Sequence, residues 1–135
     1  MRIILGLFLL GHALIHTGYL SRAPARTGGP EWPFEMSRSW LVTNVGLSPE
    51  LIRVIGTGLV VVVVAAMLGA ALAAVGIVVP QQWWRTLMLI GATASAATLI
   101  VFFHPFIVLG LLIDAALLYL VLVAGWDPIP ALARG

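Results

Sequence analysis

Four long apolar segments, separated by short turn-forming stretches and one longer connection, dominate the pattern of the chain. Each has roughly the 20 residues that a helix needs to cross a hydrocarbon core about 30 Å thick. The layout predicts an all-α fold: one transmembrane domain over residues 1–135, built as an integral membrane four-helix bundle. The predicted spans cover about residues 3–20, 51–79, 83–103 and 105–124.

The last two spans form one apolar run from Thr86 to Ala124, in which His104 and Asp114 are the ionisable residues. As a single helix this run would be ~58 Å long, nearly twice the hydrocarbon thickness. Proline has no backbone N–H and disfavours helix at the residue before it. The sequence therefore predicts a helical hairpin that turns at His104 and Pro105.

The connection over residues 21–47 is the longest in the chain, and prolines and glycines break its first half. Its second half, Phe34 to Val45, mixes aromatic and aliphatic residues with charged ones, which is typical of a short helix lying in the membrane interface. Connections of this length in compact proteins usually serve a function. We therefore predict a structured loop that caps one mouth of the bundle.

The first span admits a second interpretation, because Arg2, the apolar run and Ala23-Pro24-Ala25 also fit a secretory signal with a small-residue cleavage site. His12 and His16 lie inside the apolar run, which is unusual for such a signal. The segment is therefore predicted to be a retained helix.

Composition agrees with a membrane protein, since 61% of the residues are hydrophobic and 9% are charged. The chain has no cysteine, which excludes disulfides, thiolate metal sites and cysteine nucleophiles. The seven basic residues are all arginine and are scattered, so the sequence gives no sign of nucleic-acid binding. The predicted partners are the lipid bilayer and either other membrane subunits or further copies of the chain.

With four spans, both termini lie on the same side of the membrane. The positive-inside rule gives no orientation, because three arginines fall on one side and four on the other. We expect cytoplasmic termini, since the long capping loop resembles an external feature. The two sets are Arg2, Arg85 and Arg134 against Arg22, Arg26, Arg38 and Arg53.

Up-and-down topology places five ionisable residues in the half of the bundle under the loop. Ionisable groups inside a membrane are costly and indicate function by default. We therefore predict a polar pocket in one leaflet that binds a ligand or handles protons. Its candidate residues are His12, His16, Arg53, His104 and Asp114.

His12 and His16 are four residues apart, on one face of the first span. Two imidazoles at this spacing could pass a proton or hold a metal ion, with His104 and Asp114 as further ligands. A haem would need His104 paired with His12 or His16, because two histidines on one helix face cannot ligate opposite sides of one iron. Alternatively, each histidine is neutral and hydrogen-bonded to a carbonyl group or to Thr17.

Asp114 lies near the middle of the fourth span, and Gly110 one turn earlier predicts a roomy site beside it. A carboxylate at that depth pairs with a cation, takes up a proton, or costs about 2.5 to 3.5 kcal/mol on insertion scales. Two hypotheses follow. Asp114 either locks the helices through Arg53 or His12, or it exchanges a proton or contacts a ligand.

Four apolar spans in about 135 residues, a first span with Gly11-His12 and a long first connection together resemble the DoxX-like family of small membrane proteins. The resemblance covers the layout of the whole chain and carries over no functional residue. It implies a supporting role close to quinone-linked oxidoreductases, with quinone as a cofactor of the assembly.

Three functions are consistent with the sequence. The first is a non-catalytic binding or accessory subunit of a larger, redox- or quinone-linked membrane complex. The second is a small homo-oligomeric transporter of protons or ions, in which Asp114 and His12 carry the proton. The third is a membrane redox protein whose histidines bind haem.

Overall fold

The computed structural model describes residues 2–21 and 31–127; Ala23 to Ala25, the cleavage site of the alternative interpretation, lie outside them. The described residues contain five α-helices and no strand, which confirms the predicted all-α fold. Four of the helices, with their flanking 3₁₀ turns, are long and apolar enough to cross a membrane. The helices are α1 (Arg2–His16), α2 (Trp40–Thr43), α3 (Pro49–Val75), α4 (Trp84–Val101) and α5 (Val108–Leu122).

Helix α3 has well-defined signals at both ends. Ser48 accepts the backbone N–H of Leu51 at 3.2 Å, and Pro49 occupies the first helical turn. The helix ends at Val75 because Gly76 adopts a left-handed conformation with φ of 82°. The predicted end at residue 79 was therefore wrong by one turn, since the apolar run continues past the glycine that stops the helix.

The hairpin between α4 and α5 turns where the proline predicted it. Helix α4 ends at Val101, and a 3₁₀ turn over Pro105–Ile107 leads into α5. His104, with extended backbone, accepts the backbone N–H of Phe106 on Nδ1 at 3.2 Å. The His104 imidazole therefore caps the 3₁₀ turn that follows it.

Helix α3 packs against both α1 and α4, and α5 packs against α4. Two buried apolar clusters form the core. One contains Leu9, Met67 and Met88; the other contains Tyr19 and Ile52. His12 and His16 follow Leu9 and precede Tyr19 along α1, so they lie between the two clusters.

The capping loop is fastened to the end of α4. Ser39 donates its hydroxyl hydrogen to the carbonyl of Val101 at 2.7 Å, and the Trp40 indole donates to the carbonyl of Ile100 at 2.9 Å. Within the predicted segment 34–45, the structure has a 3₁₀ turn over Met36–Arg38 followed by the one-turn helix α2. The loop therefore covers the bundle with two short turns in place of one helix.

Candidate functional site

Three of the five predicted residues meet in the core, around the hydroxyl group of Ser95. The Oγ atom of Ser95 on α4 lies 2.8 Å from Nε2 of His16 and 3.1 Å from Nε2 of His12. The same hydroxyl donates to Oδ2 of Asp114 on α5 at 2.5 Å. We call His12, His16, Ser95 and Asp114 the Ser95 network; it joins α1, α4 and α5.

The hydrogen bonds of this network fix the direction of each donor. A serine hydroxyl has one hydrogen and two acceptor sites. The hydrogen goes to Asp114, so both histidines donate their Nε2–H to Ser95. Because the Ser95 hydroxyl hydrogen points to the carboxylate of Asp114, neither histidine acts as a base towards Ser95. The arrangement therefore differs from that of a serine hydrolase.

The second oxygen of Asp114 lacks a hydrogen bond. Oδ1 lies 3.0 Å from Nε2 of His12, within ion-pair distance, but it accepts no hydrogen bond. The short distance and the missing hydrogen bond are compatible because the single hydrogen on Nε2 of His12 points to Ser95. Asp114 and Ser95 have no exposed surface, and His16 and His12 are 2% and 6% exposed. The structure thus has a buried carboxylate oxygen with an imidazole beside it and no donor.

Local sequence explains why these side chains meet. The four-residue spacing of His12 and His16 puts both on the buried face of α1. On α4, Gly91, Ser95 and Thr98 are all buried, and the small side chains let the other helices approach. The hydroxyl of Thr98 is occupied within its own helix, donating to the carbonyl of Ala94 at 2.8 Å.

Two details of the predicted environment were wrong. Gly110 does not leave room beside Asp114, because a methyl group built there would lie 3.0 Å from Cδ1 of Leu99. Thr17 does not bind His16, since its hydroxyl donates to the carbonyl of Leu14 at 2.6 Å. The site is packed, and its polar atoms contact one another.

Arg53 and His104 do not join the network. Arg53 is exposed on α3, so the predicted lock between Arg53 and Asp114 is not formed among the described residues. His104 is half-buried at the hairpin turn, with its ring 5.2 Å from that of Phe106. Up-and-down topology predicts the relative depth of a residue, but it carries no information about which way each side chain faces.

The network does not fit a haem or a metal ion. The Nε2 atoms of His12 and His16 both contact the Ser95 hydroxyl. His104, which haem would need as its second axial ligand, instead accepts a hydrogen bond within its own turn. Within the described parts of the chain, no three or more histidine, aspartate or glutamate residues are grouped to hold a metal ion. The predicted metal set of His12, His16 and His104 is therefore not assembled.

An aromatic side chain connects the network to a cleft. The ring of Tyr19 is stacked near that of His16, with centroids 6.3 Å apart. Tyr19 is 5% exposed, and neither its hydroxyl nor Nδ1 of His16 has a hydrogen-bond partner in the described part of the chain. Tyr19 also lines a cleft of about 380 Å³ beneath the capping loop. We call this the loop-side cleft; its other lining residues are Leu20, Ser21, Phe34, Glu35, Met36, Arg53 and Thr57.

Searches against protein-family models, curated proteins and solved structures find no match to this chain.

Proposed function

We propose that this protein is an integral membrane subunit that binds a proton at the Ser95 network and works within a larger membrane assembly. The observation that carries the proposal is Oδ1 of Asp114, a fully buried carboxylate oxygen that accepts no hydrogen bond from the described residues. An unpaired buried charge is strongly unfavourable, so such a site favours a bound proton.

The charges around Asp114 lead to the same conclusion. With Asp114 ionised and both histidines neutral, the network carries one negative charge, and none of the arginines that the structure describes joins it. One added proton makes the site electrically neutral, whether it resides on Asp114 or on His12. Histidine and aspartate side chains recur as proton carriers inside membrane proteins for this reason.

The polar path approaches the network from one side. Tyr19 and His16 lie between the loop-side cleft and Asp114, whereas the core cluster beyond His12 is apolar, with Leu9, Met88 and Val121 fully buried. A proton site reached from one face needs another component to use the proton. This asymmetry favours an accessory subunit, the role that the DoxX-like resemblance also implies, over a complete transporter.

Infrared and ¹⁵N NMR spectra of the protein in nanodiscs test the proton site. At neutral pH we expect either a carboxylic acid band that disappears in Asp114→Asn or an imidazolium signal from His12. Glu50→Gln, at the exposed start of α3, is the control and should leave both spectra unchanged. A carboxylate at Asp114 together with two neutral histidines would contradict the proposal.

The same variant separates proton binding from a structural role. Asp114→Asn should fold as well as the parent, with unfolding free energies within about 1 kcal/mol, because a neutral amide is cheaper to bury than a carboxylate and still accepts from Ser95. Thermal unfolding in detergent measures this. A clear loss of stability with the proton signal retained elsewhere would make Asp114 structural.

Proteoliposomes that contain only this chain distinguish the accessory subunit from the homo-oligomeric transporter. With an imposed pH gradient, we expect no proton leak above that of empty liposomes. A protein-dependent leak that Asp114→Asn abolishes would instead support the transporter.

A further inference from the structure

We propose that the loop-side cleft binds the headgroup of a phosphoethanolamine lipid, with the phosphate held by Arg53 and the ammonium group by Glu35. This inference goes beyond proton binding and does not depend on it, because it rests on different side chains. The cleft wall contains polar groups that make no hydrogen bond or ion pair with another described residue.

Two of these groups lie one turn apart on α3. Arg53 and Thr57 are both exposed and both line the cleft, and neither makes a hydrogen bond or ion pair with another described residue. A guanidinium group only donates hydrogen bonds, and a hydroxyl can donate one. Together they suit a ligand rich in acceptor oxygens, and phosphate has the geometry that arginine binds best.

Glu35 adds an opposite charge to the same cleft. It lies more than 4 Å from Arg53, since the two form no ion pair, and its Oε1 accepts from the backbone and the hydroxyl of Ser37 at 3.2 and 2.8 Å. These bonds hold the carboxylate in place at the cleft wall. A cation and an anion held apart in one cleft match a zwitterion that carries a phosphate and a primary ammonium group.

The remaining wall selects a lipid over a free headgroup. Leu20, Phe34 and Met36 are apolar, and they surround the polar groups. Arg53 belongs to the first turns of the long apolar helix α3, where a membrane-spanning helix meets the headgroup layer. A cleft of about 380 Å³ is within the size range of small-ligand sites. A headgroup in the cleft could therefore extend its acyl chains along the apolar surface of the bundle.

Native mass spectrometry of the purified full chain tests the proposal. The protein in detergent is mixed with equal amounts of phosphatidylethanolamine, phosphatidylglycerol and phosphatidylcholine that carry identical acyl chains. We expect the phosphatidylethanolamine adduct to exceed each of the others by about two- to fivefold, the range of one partly exposed ion pair. Glu35→Gln should remove this preference, because the carboxylate is the group that recognises the ammonium. Arg53→Gln should weaken retention of all three lipids, because each of them carries the phosphate.

Arg38→Gln is the matched control, because Arg38 belongs to the same loop side, is exposed, pairs with Glu31 and does not line the cleft. It should retain the preference of the parent. Thermal unfolding of each variant verifies that the bundle stays folded. Glu35→Gln keeps an acceptor for Ser37, so the turn should persist.

Three outcomes would overturn the proposal. Equal retention of the three lipids excludes a headgroup site. A preference for phosphatidylglycerol that depends on Arg53 alone shows an anion site without an ammonium partner. Displacement of the lipid by millimolar free phosphoethanolamine shows that the headgroup binds without its acyl chains. None of these results bears on the proton at Asp114, which the infrared and NMR experiments report separately.

Discussion

At the scale of single residues, the hydroxyl of Ser95 organises the whole candidate site. It accepts hydrogen bonds from two imidazoles and donates one to a carboxylate, which uses its full capacity. Four polar groups thus contact one another in a buried region, and among the described residues Oδ1 of Asp114 and Nδ1 of His16 still have no hydrogen-bond partner. Removing the Ser95 hydroxyl leaves two imidazoles and a carboxylate without the hydrogen bonds they make to it.

Ser95→Ala should therefore lower the unfolding free energy by about 1 to 3 kcal/mol, the penalty of leaving buried polar groups unsatisfied. Thr98→Val is the control, one turn along α4 and equally buried, because its hydroxyl bonds only within its own helix. Thermal unfolding in detergent compares the two. Equal effects of the two substitutions would show that the network adds nothing to ordinary helix packing.

The histidines and the aspartate of this site were predictable, because an ionisable residue inside an apolar run is visible in the sequence. Ser95 was not, since serine occurs on many helix packing faces and nothing local distinguishes this one. The expectation that Arg53 and His104 would join these residues did not hold, for a different reason. Topology gives the depth of a residue in the bundle, but the direction of its side chain around the helix follows from packing that no pattern in α3 or the hairpin encodes.

At the scale of elements, the capping loop packs against α3 at Gly56, a position without a side chain. A methyl group built on Gly56 would lie 2.5 Å from Cζ of Phe102 and 2.8 Å from Sδ of Met36. The loop and the end of α4 therefore both approach α3 at this one position. Hydrophobic patterning predicted that a loop exists here, but it could not show that Gly56 is the point of contact.

Gly56→Ala should destabilise the protein by about 1 to 3 kcal/mol, because Phe102 and Met36 must both move to admit the methyl group. Gly58→Ala, two residues along the same helix, meets nothing within 4 Å. That control should be neutral or stabilising by up to about 1 kcal/mol, since alanine favours helix over glycine. Urea or thermal unfolding of both variants measures the difference. A Gly56→Ala protein as stable as the control would mean that the loop is not docked at this position.

At the scale of the whole molecule, the helix count determines which connections share a side of the membrane. Four candidate spans place the capping loop and the α4–α5 turn on one side and the α3–α4 connection on the other. The number of spans was predictable from the length of the apolar runs and from Pro105. The exact helix ends were not, because Gly76 stops α3 inside an apolar stretch.

The absence of cysteine makes this topology easy to test, because each introduced cysteine is the only one in the chain. Asn44→Cys and Phe106→Cys, both at exposed positions, should react with a membrane-impermeant maleimide from the same side of sealed vesicles. Gln82→Cys, also exposed, should react from the opposite side. Labelling of residues 44 and 82 from one side would contradict the four-span bundle.

The Ser95 network can form only late in the synthesis of the chain. Helix α1 is made first, with its two imidazoles, whereas Ser95 and Asp114 follow on α4 and α5. In the nascent chain those imidazoles have neither the hydroxyl nor the carboxylate that they contact in the finished bundle, and hydrocarbon offers no substitute. Helix α1 therefore reaches its final hydrogen bonding only after α5 has been synthesised. A chain interrupted before α5 carries two imidazoles without their carboxylate.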